Sequence, residues 1–172
     1  MYSRYTRGNC LLTPAPRYHT HTHPAIAALS LAKPLAGVAL IGGPGTTSDE
    51  NWPVGAVPYS GGDIIDPDLV KVWMELYFGG GKPDNYTDPV HAPQSWFDNL
   101  ATQRMLLLAG SNELLLPLIE LWAGKLKRSV PQLEYFVGKG EPHIAPVYNL
   151  YAGDKRETQQ GKKLTSWLEE VV

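Results

Sequence analysis

Cysteine is nearly absent from this sequence. Cys10 is the only one, and a single cysteine cannot form an internal disulfide framework. Long runs of lysine or arginine are missing too, and the formal net charge is only -2. Binding to a nucleic-acid backbone requires concentrated positive charge. We therefore expect neither a disulfide-stabilised fold nor a nucleic-acid partner.

Long apolar runs are also missing. No stretch approaches the roughly 20 apolar residues that cross a bilayer, and residues 1–24 lack the apolar centre of a signal peptide. We expect no membrane span and, by default, a cytoplasmic protein. The length of 172 residues suits one domain with a single core.

The first 24 residues are polar, contain several prolines and show no hydrophobic period. This pattern predicts a disordered arm, 1–24, ahead of a domain at 25–172. His19, His21 and His23 alternate in the arm and would share one face of an extended chain. Since no cysteine or carboxylate cluster stands beside them, we predict no metal site. No cofactor is predicted either.

We expect order to begin at Ala25, where residues Ala25 to Leu31 fit the tail of a helix. An apolar run from Leu35 to Ile41 comes next and is followed by Gly42-Gly43-Pro44-Gly45. Such a run before a turn is typical of a central parallel strand that is buried on both faces. The turn lacks a Gly-Lys-Ser/Thr ending and no helix follows it, so phosphate binding is not expected.

Residues 46–101 are rich in aromatic residues interleaved with proline, glycine and aspartate. The pattern predicts one helix, which starts at Pro67 and ends at the glycines from Gly79. So long an irregular connection is usually functional, such as a lid or binding loop, or else disordered. We predict a lid-like excursion near a pocket for a hydrophobic small molecule. The candidate binding residues are Trp52, Trp73 and Trp96.

A strand, helix and strand follow at 105–109, about 114–127 and 133–137, and an amphipathic helix closes the chain at about 157–171. Glu113 lies just past the end of one of these strands, and His143 lies just past the next. The carboxyl ends of parallel strands share one edge of a sheet, so the two side chains are expected to meet. They form the acid and base half of a triad.

The third member of a triad would be a serine in a Gly-x-Ser-x-Gly turn. No serine in the sequence has glycine both two before and two after it. Ser60-Gly61-Gly62 is superficially similar but lies inside the excursion, not at a strand end. Ordinary esterase turnover by this chain alone is therefore expected to be absent or trivial. Asn112 is the alternative neighbour of His143.

From about residue 25 onward, the sequence resembles the C-terminal part of hormone-sensitive-lipase-like, fungal-type esterases of the α/β-hydrolase fold. The segments that carry the resemblance are the strand Leu35–Ile41, the helix that begins with Asp66-Pro67 and ends with Tyr77-Phe78-Gly79, the stretch Leu107–Leu115, and Gly140-Glu141-Pro142-His143.

The resemblance implies an α/β fold, namely the C-terminal half of an α/β-hydrolase with three parallel strands, flanking helices and a lid-like excursion. In that family the triad acid stands two residues before a leucine and about thirty before the histidine. Glu113 stands two before Leu115 and thirty before His143. The resemblance thus implies that Glu113 is the acid and His143 the base. The family's oxyanion loop and serine turn would lie upstream of the matched region.

Three functional hypotheses remain open. The first is a protein derived from an α/β-hydrolase, either a truncated esterase or a half-enzyme completed by another chain. The second is an acid/base catalyst, such as a cyclase, isomerase or lyase, that uses Glu113 and His143 on a hydrophobic small molecule. The third is a non-catalytic remnant or interaction module. We prefer the first for ancestry and leave activity open.

The strand at 35–41 would lack one of its neighbours, which leaves unpaired backbone groups beside an apolar run. Such an edge is rarely left bare. Because prolines make the N-terminal arm poor strand material, we expect self-association or a partner chain at this edge.

Overall fold

The computed structural model describes residues 33–43, 62–79, 81–98 and 100–171. The predictions for the N-terminal arm, for Trp52 and for Ser60 concern residues outside these ranges.

Three parallel strands form one sheet in the order β1, β2, β3. They are β1 at Val38–Ile41, β2 at Met105–Gly110 and β3 at Leu133–Gly138. All six residues of β2 are buried, because this strand has a partner on each edge. Among the described residues β1 pairs with β2 alone, so β2 is the middle strand of the three.

In the described part of the chain, four α-helices and one 3-10 helix accompany the sheet. The α-helices are α1 at Pro67–Phe78, α2 at Leu116–Ser129, α3 at Ala145–Tyr151 and α4 at Gln159–Val171. The 3-10 helix spans Gln94–Phe97. None of the helices in the described part of the chain is long and apolar enough to cross a membrane.

The core has two halves because side chains alternate across a strand. Leu107 and its neighbours on one face of β2 pack in a cluster with Leu118 and Trp122 of α2. Leu106 and Leu108 point to the other face and pack against Trp167 of α4. The sheet therefore lies between helices, the arrangement expected of parallel strands that are buried on both faces.

Helix α2 starts two residues later than its apolar pattern predicts. The backbone N–H of Leu116 donates to the carbonyl oxygen of Glu113 at 3.1 Å, so residues 113–115 form a turn, and Pro117 lies in the first helical turn. Proline suits that position because its missing N–H would have no partner there. The turn sets the direction in which Glu113 leaves β2.

The apolar stripe of α1 is less buried than its pattern suggests. Val70 is buried, but Trp73 is 48% exposed and Leu76 is 75% exposed. Helix α3 was not predicted at all, because Val147, Leu150 and Tyr151 are exposed and seven residues with outward apolar side chains give no amphipathic signal.

The buried residues of β2 should dominate stability. We expect Leu107→Ala to lower the free energy of unfolding by roughly 2–5 kcal/mol, because it leaves a cavity in a closed core. The matched control is Leu121→Ala on α2, because Leu121 is 50% exposed whereas Leu107 is 0% exposed. Urea unfolding of both variants checks this, and equal losses for the two would contradict the assigned core.

Candidate acid-base site

Glu113 lies in the turn between β2 and α2, and its side chain is fully buried at 0% exposure. Its Oε1 is hydrogen-bonded to Nδ1 of His143. Its Oε2 accepts the backbone N–H of Gly110 at 3.0 Å. Both carboxylate oxygens therefore have a partner, as a buried charge requires.

His143 follows β3 and directly precedes Ile144, whose φ of 44° is left-handed. That conformation is rare and strained for a β-branched residue. The His143 side chain remains 17% exposed, which leaves the ring accessible from one side. The expected contact between Glu113 and His143 is present, while the catalytic role of the pair stays a prediction.

Backbone and side-chain hydrogen bonds join the turn after β2 to the loop after β3. Ser111 donates its N–H to the carbonyl oxygen of Gly138 at 2.9 Å and accepts the N–H of Gly140 on its hydroxyl at 2.7 Å. Asn112 donates its N–H to the carbonyl oxygen of Glu141 at 3.0 Å, and its side-chain amide reaches the carbonyl oxygen of Gly140 at 3.2 Å. Glu113, and not Asn112, is therefore the neighbour of His143.

A second carboxylate anchors the loop from the side of α4. Glu141 accepts the backbone N–H groups of Gln159 and Gln160 at the start of this helix. The first N–H groups of a helix lack intrahelical partners and favour a negative charge. The Gln160 side chain also donates to the carbonyl oxygen of Pro142 at 3.3 Å. Glu141 and Pro142, the two residues before His143, are thus fixed by hydrogen bonds to the Glu141 side chain and to both of their carbonyl oxygens.

Gly42 brings the end of β1 against the histidine. A Cβ placed on Gly42 would lie 2.5 Å from Cε1 of His143, and the φ of Gly42 is +74°. Both facts favour glycine there. Gly110 is equally constrained, because a Cβ on it would lie 2.1 Å from the carbonyl oxygen of Glu141. All three strand ends therefore meet at the site.

Sequence reasoning missed Asp63, which precedes α1. Its Oδ2 accepts the N–H of Leu114 at 2.6 Å, and its Oδ1 accepts the N–H of His143 at 2.8 Å. No motif marks this residue, because its partners are backbone groups far away in sequence.

Two of the three predicted tryptophans, Trp73 and Trp96, lie in the described part of the chain. Trp96 packs on the core cluster and meets the ring of Tyr86 edge-on, with centroids 4.8 Å apart. Its 3-10 helix is tied to the C-terminal half of α2, because the Gln94 side chain donates to the carbonyl oxygen of Lys125 at 3.0 Å. Trp73 lies on α1 and is about half exposed. Trp96 is thus partly buried against the core, and the binding roles of Trp73 and Trp96 stay predictions.

The surroundings of the site carry further negative charge. Burial, followed by the carboxylates of Glu120 and Glu113, raises the pKa of the Tyr135 hydroxyl above its usual range. Tyr135 is therefore neutral at physiological pH and cannot serve as a base.

Within the described ranges, no group of three or more histidine, cysteine, aspartate or glutamate side chains is arranged to hold a metal ion.

The geometry assigns the protons of the histidine. A carboxylate accepts hydrogen bonds, so Nδ1 carries the proton that faces Glu113. In the neutral ring, Nε2 then keeps its lone pair. An imidazole oriented in this way is suited to act as a general base.

No protein-family model matches the sequence, and no curated protein matches it at a significant level. Eleven chains of solved structures are similar in fold, among them a lipase and an esterase. A hormone-sensitive lipase from a metagenome library matches with a TM-score of 0.64 and 21% identity over 88% of this chain. A thermostable esterase from Pseudomonas putida matches with a TM-score of 0.58 and 16% identity over 77% of this chain.

The chain spans only part of these proteins, 52% of the lipase and 42% of the esterase. With three parallel strands between helices, it has the fold of the C-terminal part of an α/β-hydrolase. The predicted fold class is therefore confirmed.

Replacement of Gly42 by alanine should lower stability in two ways, through backbone strain at positive φ and through a clash of the new methyl group with the His143 ring. Alanine at positive φ costs about 1–2 kcal/mol, and Gly153→Ala is the matched control because its φ is +82° with nothing within 4 Å of an added Cβ. We expect Gly42→Ala to destabilise the protein by about 1–3 kcal/mol more than the control does, owing to the clash with His143.

Urea unfolding measures the difference between these two variants, and the NMR shift of the His143 Cε1 proton reports displacement of the ring. Equal stability of the two variants with an unchanged ring shift would contradict the described contact.

Proposed function

We propose that this chain supplies the acid and the histidine of an esterase-like or lipase-like hydrolytic site. Glu113 is the acid and His143 the general base. The observation that carries the proposal is the hydrogen bond between the fully buried Glu113 carboxylate and Nδ1 of His143. The shared fold with an esterase and a lipase supports it.

The roles follow from the geometry of the pair. Nε2 of His143 takes a proton from a hydroxyl or water nucleophile and later returns it to the leaving group. Glu113 holds the ring in the required tautomer and stabilises the imidazolium that forms. Because Glu113 already has both oxygens hydrogen-bonded, little reorganisation accompanies the proton transfer.

The nucleophile and the oxyanion donors would come from residues other than those identified in this sequence. No serine stands in a Gly-x-Ser-x-Gly context, and the chain spans about half of the lipase and esterase chains. A second segment or a second chain that pairs with the edge of β1 opposite β2, where no described strand lies, would bring them to the site. The substrate in this proposal is a hydrophobic ester, and Trp73 on α1 is a candidate contact.

A second candidate is proton-transfer catalysis, such as a cyclase, isomerase or lyase reaction. The specific observation in its favour is that Nε2 needs no serine to act as a base, and the His143 ring has access to solvent. In this case His143 would act directly on a small molecule. A non-catalytic interaction module is the third alternative, and it predicts no special reactivity of His143.

Chemical modification of the histidines tests the proposed roles. Diethylpyrocarbonate reacts with the unprotonated imidazole nitrogen, so His143 should be modified in the wild-type chain. In Glu113→Gln the rate should fall several-fold, because an amide that still accepts the Gly110 N–H presents its NH₂ group to Nδ1, which favours the tautomer with the proton on Nε2. Peptide mass spectrometry resolves each histidine.

His91 is the internal control. Its Nδ1 contacts Oδ1 of Asp88 at 2.9 Å and its side chain is 37% exposed, so it forms a second acid-histidine pair that Glu113→Gln leaves intact. Its rate should not change. Equal rates for His143 in the wild-type and variant proteins would contradict the proposed acid.

A further inference from the structure

We propose that Asp63 is a positioning residue of the acid-base site, an inference that rests on the proposed function of Glu113 and His143. Its carboxylate fixes the turn that carries the acid against the loop that carries the histidine. Asp63 acts through the backbone and not on the imidazole ring itself. Its carboxylate accepts the N–H of His143 and the N–H of Leu114, the residue after Glu113.

The carboxylate accepts three backbone N–H groups. Oδ2 accepts that of Leu114, the residue directly after Glu113, at 2.6 Å. Oδ1 accepts that of His143 at 2.8 Å and that of Ile64 at 2.8 Å. The two distant partners are 51 and 80 residues away in sequence. One side chain thus links the end of β2, the end of β3 and the segment before α1.

Each distant N–H lies where the local backbone offers no acceptor. Leu114 stands just before α2, and His143 stands just before α3. Each N–H belongs to the residue before the N-cap residue of its helix, so it lies outside the intrahelical hydrogen bonds and needs a partner from elsewhere in the chain. Hydrogen bonds to a carboxylate are shorter and stronger than those between neutral groups. Asp63 therefore satisfies one backbone donor beside Glu113 and one at His143.

The strained backbone beside His143 increases the need for such a support. Ile144 has a φ of 44°, a conformation that persists only when its surroundings hold it. The hydrogen bond from the His143 N–H to Asp63 lies immediately next to this residue. Without it, rotation of the 143–144 peptide towards a relaxed conformation would turn the ring away from Glu113.

Asparagine cannot replace this carboxylate. An amide keeps one acceptor oxygen and presents an NH₂ group as a donor at the other position. In Asp63→Asn, either Leu114 or His143 would face a donor and lose its partner. The substitution changes charge and hydrogen bonding with almost no change in volume, so it isolates the proposed role.

The experiment uses the full chain and NMR. In Asp63→Asn we expect amide exchange at Leu114 and His143 to become at least about tenfold faster, because a charge-assisted hydrogen bond is lost. We also expect the low-field Nδ1 proton of His143 to be lost or broadened. The core amide of Leu107 should keep its protection, which separates local loosening from general unfolding. Asp63→Glu should restore part of the His143 signal because it keeps the carboxylate.

Asp98→Asn is the matched control. Asp98 is an exposed aspartate whose hydrogen bond with the Ser129 hydroxyl is long, at 3.4 Å. Its substitution should leave the His143 signal unchanged. If Asp63→Asn retains wild-type exchange and the wild-type Nδ1 signal, the inference is overturned. If the wild-type protein itself lacks this signal, which Glu113→Gln must abolish, then the proposed acid-base pair fails instead.

A measurement on the wild-type protein applies if Asp63→Asn does not fold. Scalar coupling across a hydrogen bond should then connect the carboxyl carbon of Asp63 with the amide nitrogens of Leu114 and His143. Absence of both couplings would overturn the inference.

Discussion

A carboxylate that is fully removed from water must be satisfied by the protein itself, because burying an unpaired charge is prohibitively unfavourable. Glu113 is in this position. Its oxygens find the backbone N–H of Gly110 and the ring of His143. The turn after β2 and the loop after β3 must therefore keep one relative position, and the close packing of Gly110 and Gly42 at the strand ends is consistent with this constraint.

Two more carboxylates extend the same principle to the backbone. Asp63 accepts N–H groups beside Glu113 and at His143, and Glu141 accepts those at the start of α4. The donors of Glu141 lie at a helix start, where a negative charge is favourable, and those of Asp63 lie in the two connections that carry the acid-base pair. Together they leave the imidazole in a defined place with one exposed side, which is what a general base requires.

The contact between Glu113 and His143 was predictable because parallel strands end at one edge of a sheet, so residues just past neighbouring strands must come close. The apolar runs that form β2 and β3 could also be recognised in the sequence. Asp63 could not be recognised, since its partners are backbone groups without a sequence signature. The aromatic residues of the excursion do not by themselves distinguish a pocket from a core; Trp96 packs on the core cluster, and the binding roles of Trp73 and Trp96 stay predictions. The order of the strands depends on which strands pair, which the sequence alone does not show.

The central claim is that Glu113 fixes the tautomer of His143. Long-range proton-nitrogen correlation of the histidine rings in the wild-type chain, at a pH where the imidazole is neutral, tests it most directly. The account predicts that Nδ1 of His143 carries the proton and that Nε2 has the chemical shift of an unprotonated nitrogen. A His143 ring protonated at Nε2, or one that averages between the two tautomers, would contradict it.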